Sequence, residues 1–336
     1  MRIQLLGFGN IGQGFAKVLL KKKRYLKKRH GLEAKVVSIS DITGTVADER
    51  GLDLDKVLKS IEKGKGVSGC KGARDMSGLE AVRDIEADVV LEATPSNIET
   101  GEPGLSHMLA AMKAGKHVVT SNKGPLALEF RRLKEKAQEH GVEFRYEASV
   151  GGAMPIINLA NEIMSGDEIY AIEGILNGTT NYILTRMAKE GSPFEIVLRE
   201  AQELGIAEAD PSYDVDGIDT ASKLAILASA IMGMDASIKD VEVQGIRKIT
   251  PEAVRLARED GYAVKLIGEV RNSNLEVAPR LVPLTHPLNV EGILNVALFQ
   301  TDIAGEVTIV GKGAGSIETN SAILSDLIKI WEKSKY

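Results

Sequence analysis

The segment EAQELGIAEADPSYDVDGIDTASKLAIL (Glu200–Leu227) places Glu203, Glu208, Asp210, Asp214, Asp216 and Asp219 within a short span, then one cation, Lys223. Asp219 and Lys223 are four residues apart, so they share one face of a helix. On a protein surface such a pair is worth only about 0.3–0.5 kcal/mol. The residues after Lys223 argue for more. Leu224–Met232 reads LAILASAIM, apolar nearly all round, as expected of a buried helix. Lys223 is therefore expected at the mouth of a buried stretch with carboxylates beside it, an arrangement suited to proton transfer or to substrate binding.

A second chemistry is written at the start of the chain. Gly7-Phe8-Gly9-Asn10-Ile11-Gly12 forms G-x-G-x-x-G directly after an apolar run, Ile3–Leu6, and at the start of a helical pattern. In that context Gly7 permits a tight turn and Gly9 allows the backbone to approach a pyrophosphate. Gly12 lets helix and strand pack closely, and the helix N-terminus offers free N–H groups to the anion. The acidic residue expected at the ribose is Asp41, with Ser40 as its neighbour; sequence does not choose between them, and Arg50 and Lys56 lie close enough along the chain to meet a phosphate. The cofactor is thus a dinucleotide, NAD or NADP.

Further candidates lie after strand-like runs. Lys123, in Thr120-Ser121-Asn122-Lys123-Gly124-Pro125, follows one such run, and Thr94-Pro95-Ser96 follows another at the same expected sheet edge, where it is placed to line the nicotinamide side. Ligands of open α/β sheets bind at the carboxyl ends of the strands. Asn177-Gly178-Thr179-Thr180-Asn181 ends a strand and begins a helix, with Thr179 or Thr180 expected as its cap; it also suits anchoring of a carboxylate or amino group. Glu147–Pro155, EASVGGAMP, reads as a hinge whose glycines let backbone carbonyls converge, an arrangement able to hold a hard monovalent cation.

These groups must be held by a scaffold. Short apolar runs at Ile3–Leu6, Lys35–Ile39, Asp88–Ala93, His117–Thr120 and Val142–Tyr146 alternate with helical patterns at Ile11–Lys28, Ser106–Ala114 and Leu126–His140. That alternation predicts βαβ units, a doubly wound parallel sheet with helices on both faces. Beyond residue 150 the strand-like runs Ile169–Leu176, Ala263–Arg271, Leu275–Pro283, Asn295–Thr301 and Val307–Val310 mostly follow one another directly. Helices are expected at Tyr182–Glu190, Phe194–Leu204 and Ile218–Met232. This half is read as α+β with a mainly antiparallel sheet. The expected division is 1–150 for nucleotide binding, 151–315 for substrate and dimerisation, and a closing helix in 316–336 returning to the first domain. Lys21–His30 reads as a solvated basic helix end, and Lys63–Gly78 as a mobile surface loop.

Composition narrows the class. The chain has 336 residues, net charge −5, 43% hydrophobic and 26% charged residues, and one cysteine, Cys70. That excludes a mostly disordered chain and gives no run long enough to span a membrane. The N-terminus reads as a strand rather than a signal peptide. Mild acidity speaks against nucleic acid as the main partner, and a lone cysteine rules out an internal disulfide. A cytoplasmic globular enzyme or binding protein is the expectation.

Together the motifs GFGNIGQGF, TSNKGPLA, EASVGGAMPII, GILNGTTNYIL, EADPSYDVDGIDTASK and GKGAG resemble homoserine dehydrogenase over nearly the whole chain. The resemblance implies a Rossmann-type domain, a substrate and dimerisation domain, and a homodimer. The implied reaction is reduction of L-aspartate 4-semialdehyde to L-homoserine with NADPH or NADH. It implies Lys223 as proton donor to the carbonyl oxygen, and Glu208 and Asp219 as ligands of the substrate amino group or of a water. Lys123 becomes the lysine on the cofactor and substrate side, and Gly313 a cofactor contact. Main-chain oxygens of Glu147, Val150, Gly152 and Met154 become ligands of a sodium ion. The chain ends after its closing helix, so feedback through an appended regulatory domain is not expected. Two rivals differ in what they require. The first is another NAD(P)-dependent amino-acid or semialdehyde dehydrogenase of the same two-domain build; a phosphorylating or acylating semialdehyde enzyme needs a nucleophilic cysteine, for which Cys70 in a glycine-rich loop is poorly placed. A nonenzymatic nucleotide-binding regulator has no use for Glu208, Asp219 and Lys223 together.

Overall fold

The computed structural model describes residues 1–64 and 66–335; Lys65, within the stretch read as a loop, lies outside them. The chain divides into two compact units, Met1–Ser149 with Gly315–Tyr336, and Val150–Ala314.

The first unit runs β1 (Arg2–Leu6), α1 (Asn10–His30), β2 (Lys35–Asp41), β3 (Gly44–Ala47), α2 (Leu54–Glu62), β4 (Ala73–Arg74), α3 (Gly78–Asp84), β5 (Val89–Glu92), α4 (Gly104–Lys113), β6 (His117–Thr120), α5 (Lys123–Glu139) and β7 (Phe144–Arg145). The second runs α6 (Ile156–Asn158), β8 (Ile169–Ile175), α7 (Gly178–Glu190), α8 (Phe194–Glu203), α9 (Ser212–Val215), α10 (Ile218–Ile231), β9 (Glu242–Val243), α11 (Pro251–Glu259), β10 (Tyr262–Arg271), β11 (Asn274–Pro283), β12 (Leu294–Thr301) and β13 (Glu306–Lys312). The closing helix α12 (Ser316–Lys333) belongs to the first unit.

The first sheet has the order β4-β3-β2-β1-β5-β6-β7. The five expected strands, β2-β1-β5-β6-β7, are parallel, as in a doubly wound nucleotide-binding fold. Strand order reverses across β1 and β5, which opens a crevice at their carboxyl ends. Two additions depart from the all-parallel expectation: β3 pairs antiparallel with β2, and β4 with β3. The cause is local. The Asp41 carboxylate accepts from Thr43 N at 2.7 Å, and Gly44 sits at φ 135°, so the chain folds back as a hairpin instead of crossing to a helix. The stretch read as a mobile loop accordingly contains a 3₁₀ turn, Val67–Gly69, then β4 and the Ser77 capping box of α3.

Apolar side chains of β1, α1 and α12 form one core, with Ile3, Phe15, Leu26, Ile323 and Leu327 fully or nearly fully buried. Helix α12 lies close on α1: Ser316 Oγ donates to Asn10 O at 3.0 Å and Asn320 Nδ2 to Ile11 O at 3.1 Å. A Cβ at Gly14 would stand 2.3 Å from Ser316 Oγ, so the approach needs that glycine. At the basic end of α1, Lys27 pairs with Glu33, and His30 Nδ1 is hydrogen-bonded to Glu332 Oε1 at 2.9 Å.

In the second sheet, β13-β12-β8-β10-β11-β9, neighbours are antiparallel except for the short parallel pair β9/β11. Helix α11, capped by Thr250, and helix α2, capped by Asp53, lie outside the sequence-based expectations.

Candidate active site

In the second unit, β8 ends at Ile175 and hands its last acceptor to the site. Leu176 O accepts from Lys223 Nζ at 2.7 Å, and Asp219 Oδ2 accepts from the same ammonium at 2.8 Å. Lys223 is 5% exposed and Asp219 6%. The pair is thus buried, as the apolar composition of α10 requires: every residue from Asp219 to Ala230 is buried. Asp219 lies in the first turn of α10, where the helix dipole favours a carboxylate. Two acceptors leave one of the three N–H groups of Lys223 for a ligand.

Asn177 ties this pair to a second carboxylate. Its Nδ2 donates to Asp219 Oδ2 at 2.9 Å and to Asp214 Oδ1 at 2.7 Å. Burial pushes the Asp214 carboxyl up, and the neighbouring Asp219 charge pushes it further; the hydrogen bond from Asn177 and the Lys223 charge oppose this. Asp214 belongs to the acidic run but is not among the site residues that the sequence singles out. Only the tertiary fold brings it back onto Asn177. The expected cap is corrected as well. Asn177 Oδ1 accepts from Thr180 N at 2.9 Å, so Asn177 caps α7, while the Thr179 and Thr180 hydroxyls donate to Ile206 O and Asn177 O. Glu208 stands apart: it is exposed, and no hydrogen bond or ion pair links its carboxylate to this cluster.

In the first unit the glycine turn lies at the crevice between β1 and β5. Gly7 has φ 90°, and a Cβ there would come within 2.4 Å of Ala93 O. A Cβ on Gly12 would strike Gly7 O at 2.3 Å, whereas the space beside Gly9 is open. The N-terminal turn of α1 carries no side-chain cap and no acidic residue. Phe8 is buried, Ile11 half-buried and Asn10 exposed. This cradle, with close packing on two sides and room and free N–H groups on the third, fits a dinucleotide pyrophosphate.

Of the other first-unit candidates, Ser40, Asp41, Thr94, Pro95 and Lys123 lie at or just after the carboxyl ends of β2, β5 and β6, whereas the segment carrying Arg50 and Lys56 packs by the amino end of β2, where Leu52 N donates to Val36 O. Ser40 is 2% exposed, its hydroxyl is hydrogen-bonded to Thr45 Oγ1 at 2.7 Å, and its carbonyl accepts from Gly7 N at 2.9 Å. The Ser40 hydroxyl is therefore turned into the sheet. Both Asp41 oxygens are engaged locally, Oδ1 with Thr43 and Oδ2 with Val67 N at 3.1 Å. Arg50 and Lys56 are exposed and lie against Asp48 and Asp53. Thr94 N donates to Glu92 Oε1 at 3.1 Å, and the Thr94 hydroxyl bonds the same oxygen; Pro95 is exposed. Glu92, fully buried at the end of β5, fixes this turn; its one signal in the sequence is a lone glutamate closing an apolar strand. Lys123 is the first residue of α5, half-buried, on a turn fixed by Ser96 Oγ and Asn122 Oδ1, which accept from Gly124 N at 2.8 and 3.2 Å.

The positions read as cation ligands are divided between the units: Glu147 in the first, Val150, Gly152 and Met154 in the second. Glu147, Val150, Gly152 and Met154 are all buried, and Glu147 N donates to buried Asp326 at 3.0 Å. Gly152 lies against Gly313, with Gly313 O 2.7 Å from where a Cβ would stand, and Gly313 itself packs on Asn295. Among the described residues no group of three or more His, Cys, Asp or Glu is placed to hold a metal. No described helix is long and apolar enough to cross a membrane.

Comparison with known proteins agrees in both units. A family model described as homoserine dehydrogenase, NAD binding domain, matches residues 7–147, and one described as homoserine dehydrogenase matches residues 155–328. The chain is 58% identical over 336 residues to a homoserine dehydrogenase of Methanocaldococcus jannaschii, covering all of both chains. It is similar to the crystal structure of a putative homoserine dehydrogenase from Archaeoglobus fulgidus, with TM-score 0.91 and 47% identity over 98% of this chain and 99% of that one. It is also similar to a hyperthermophilic archaeal homoserine dehydrogenase mutant in complex with NADPH, with TM-score 0.86 and 31% identity over 100% of this chain and 98% of that one. The chain belongs to the homoserine dehydrogenase family.

Proposed function

We propose that the protein reduces L-aspartate 4-semialdehyde to L-homoserine with NADPH or NADH, and runs the reverse oxidation. The observation that carries this reading is the buried Lys223–Asp219 pair, with one ammonium N–H uncommitted. The nicotinamide cofactor supplies the hydride. Reduction of an aldehyde builds negative charge on its oxygen. Lys223 Nζ meets that charge and then gives up its proton, while Asp219 keeps the lysine oriented. Asp214, Asp219 and Asn177 form an acidic lining suited to the substrate ammonium, with Thr179 beside them; Glu208, on its exposed loop, is assigned to the same ammonium. Lys123 is the second cation, facing cofactor and substrate.

Gly7, Phe8, Gly9, Asn10, Ile11 and Gly12 would hold the pyrophosphate, Thr94 and Pro95 the nicotinamide side, and Gly313 a further face of the cofactor. Asp41 is assigned to the ribose, and Ser40 acts there through its carbonyl, which fixes the Gly7 turn. Main-chain oxygens of Glu147, Val150, Gly152 and Met154 suit a hard monovalent cation, sodium. The protein is proposed to work as a homodimer through its second unit, where Tyr170 and Val310 on the sheet are 48% and 47% exposed. The single unpaired Cys70 supports a reducing, cytoplasmic setting.

The test is loss of reduced-nicotinamide absorbance on adding L-aspartate 4-semialdehyde, with NADPH and NADH compared. Aldehyde-dependent oxidation is expected. Its absence with both cofactors, in folded protein that binds them, would overturn the reading.

A further inference from the structure

A second buried lysine in the second unit is held very differently. Lys265, on β10, is 3% exposed. Its ammonium donates to Asn181 Oδ1 at 2.9 Å and to Val290 O at 2.6 Å, both neutral acceptors. No carboxylate of the described residues lies within ion-pair distance of it, and its third N–H has no protein acceptor among them. An uncompensated buried ammonium is costly, and such groups are retained where something pairs with them.

Lys265 lines a cleft with Thr185, Lys189, Arg258, Tyr262 and Glu291. Three cations there face one carboxylate. Lys189 Nζ is 2.6 Å from Glu291 Oε2, and Arg258, whose Nη1 donates to Ala188 O at 2.8 Å, has no carboxylate within ion-pair distance among the described residues. The Glu291 carboxyl is held low, first by the Lys189 hydrogen bond, and the Lys265 and Arg258 charges add to this. Burial in turn pushes the Lys265 ammonium down to about 8, with Glu291 only partly offsetting it. One carboxylate is thus shared by three cations, and the most deeply buried of them, Lys265, is not within ion-pair distance of it.

We propose that this cleft is a binding site for a small oxyanion, a carboxylate or phosphate group, whose charge is met by Lys265, Lys189 and Arg258. Its lining is largely apolar, with Leu184, Val254, Val264 and Leu284, and the cations set in it can supply charge-assisted hydrogen bonds from two elements, α7 and β10, with the guanidinium of α11 beside them. The site is separate from the Asn177–Asp214–Asp219–Lys223 cluster, but it bears on the same helix. Asn181, which accepts from Lys265, stands one turn along α7 from its cap Asn177.

The test is thermal unfolding of the full chain in sodium phosphate and in sodium acetate, each against sodium chloride of equal ionic strength at pH 7. Wild type is compared with Lys189→Ala, Arg258→Ala and Lys265→Met. General salt effects are common to all four proteins, so the difference between wild type and variant is the readout. An anion that binds the native state alone should raise the wild-type Tm by roughly 2 °C more than that of the variants. A rise in phosphate only identifies a phosphate ligand, and a rise in acetate as well identifies any small oxyanion. The proposal is overturned if neither anion exceeds chloride in wild type, or if the rise survives unchanged in the variants, as binding at the glycine turn would give. Lys189 and Arg258 are exposed, so their variants decide the matter should Lys265→Met fail to fold.

Discussion

Two lysines of the second unit are similarly buried and differ in their partners. Lys223 sits in an apolar helix and meets Asp219, a carbonyl, and a second carboxylate through Asn177. Lys265 sits on a strand and meets only an amide oxygen and a carbonyl. A carboxylate, Asp219, accepts directly from Lys223. At Lys265 no carboxylate does, and burial pushes the ammonium down to about 8. What separates the two lysines is therefore not burial but the carboxylate partner of Lys223.

The contrast breaks most sharply at Lys223. Lys223→Ala removes the proposed proton donor, and turnover should fall by about 10³-fold or more while cofactor affinity, measured by fluorescence titration, stays within a factor of a few. Near wild-type turnover would remove Lys223 from the role. Asp219→Asn is a milder and more telling change, because it gives Lys223 the neutral surroundings of Lys265. Turnover should drop about 10- to 100-fold with cofactor affinity unchanged, since the hydrogen bond that orients the ammonium is weakened. Turnover within about a factor of two of wild type would mean that Asp219 does not position the lysine.

The smallest effect is expected at the other lysine. Lys265 is lowered on folding, so between about pH 8 and the ordinary lysine range near 10.4 the unfolded chain binds more protons than the native one. The penalty for burying its charge is full below pH 8 and fades as pH rises through that window. The Tm of wild type relative to Lys265→Met should therefore climb by a few degrees from about pH 7.5 to about pH 10.5. Lys189, Arg258 and Glu291, the charged groups facing it, are present in both proteins and largely cancel. A flat difference would mean that Lys265 titrates as an exposed lysine.

The contrast between these lysines is only half legible in the sequence. LAILASAIM after Lys223 announces a buried helix, and the i, i+4 spacing announces Asp219 as its partner. Nothing in YAVKLIGEV distinguishes Lys265 from a strand lysine whose head reaches solvent, because its burial comes from α7, α11 and the 284–291 segment, remote in sequence. Asp214 is the same case. Six acidic side chains of one segment look alike until the chain returns and places one of them against Asn177. Asp41 is read from its place after β2, while the bonds its carboxylate makes within its own turn, to Thr43 and Val67, appear only in the structure.

By itself the sequence determined the alternation of strands and helices in the first half, the run of strands in the second, the glycine turn and the Asp219–Lys223 pair. All of these rest on periodicity, local sterics or a spacing of a few residues. The tertiary structure alone decided the antiparallel edge of β3 and β4, the packing of α12 on α1, the second carboxylate at Asn177, and which buried ammonium stands without a counter-charge. Those depend on which distant segments meet, and desolvation is set by everything that surrounds a group in space rather than by its neighbours along the chain.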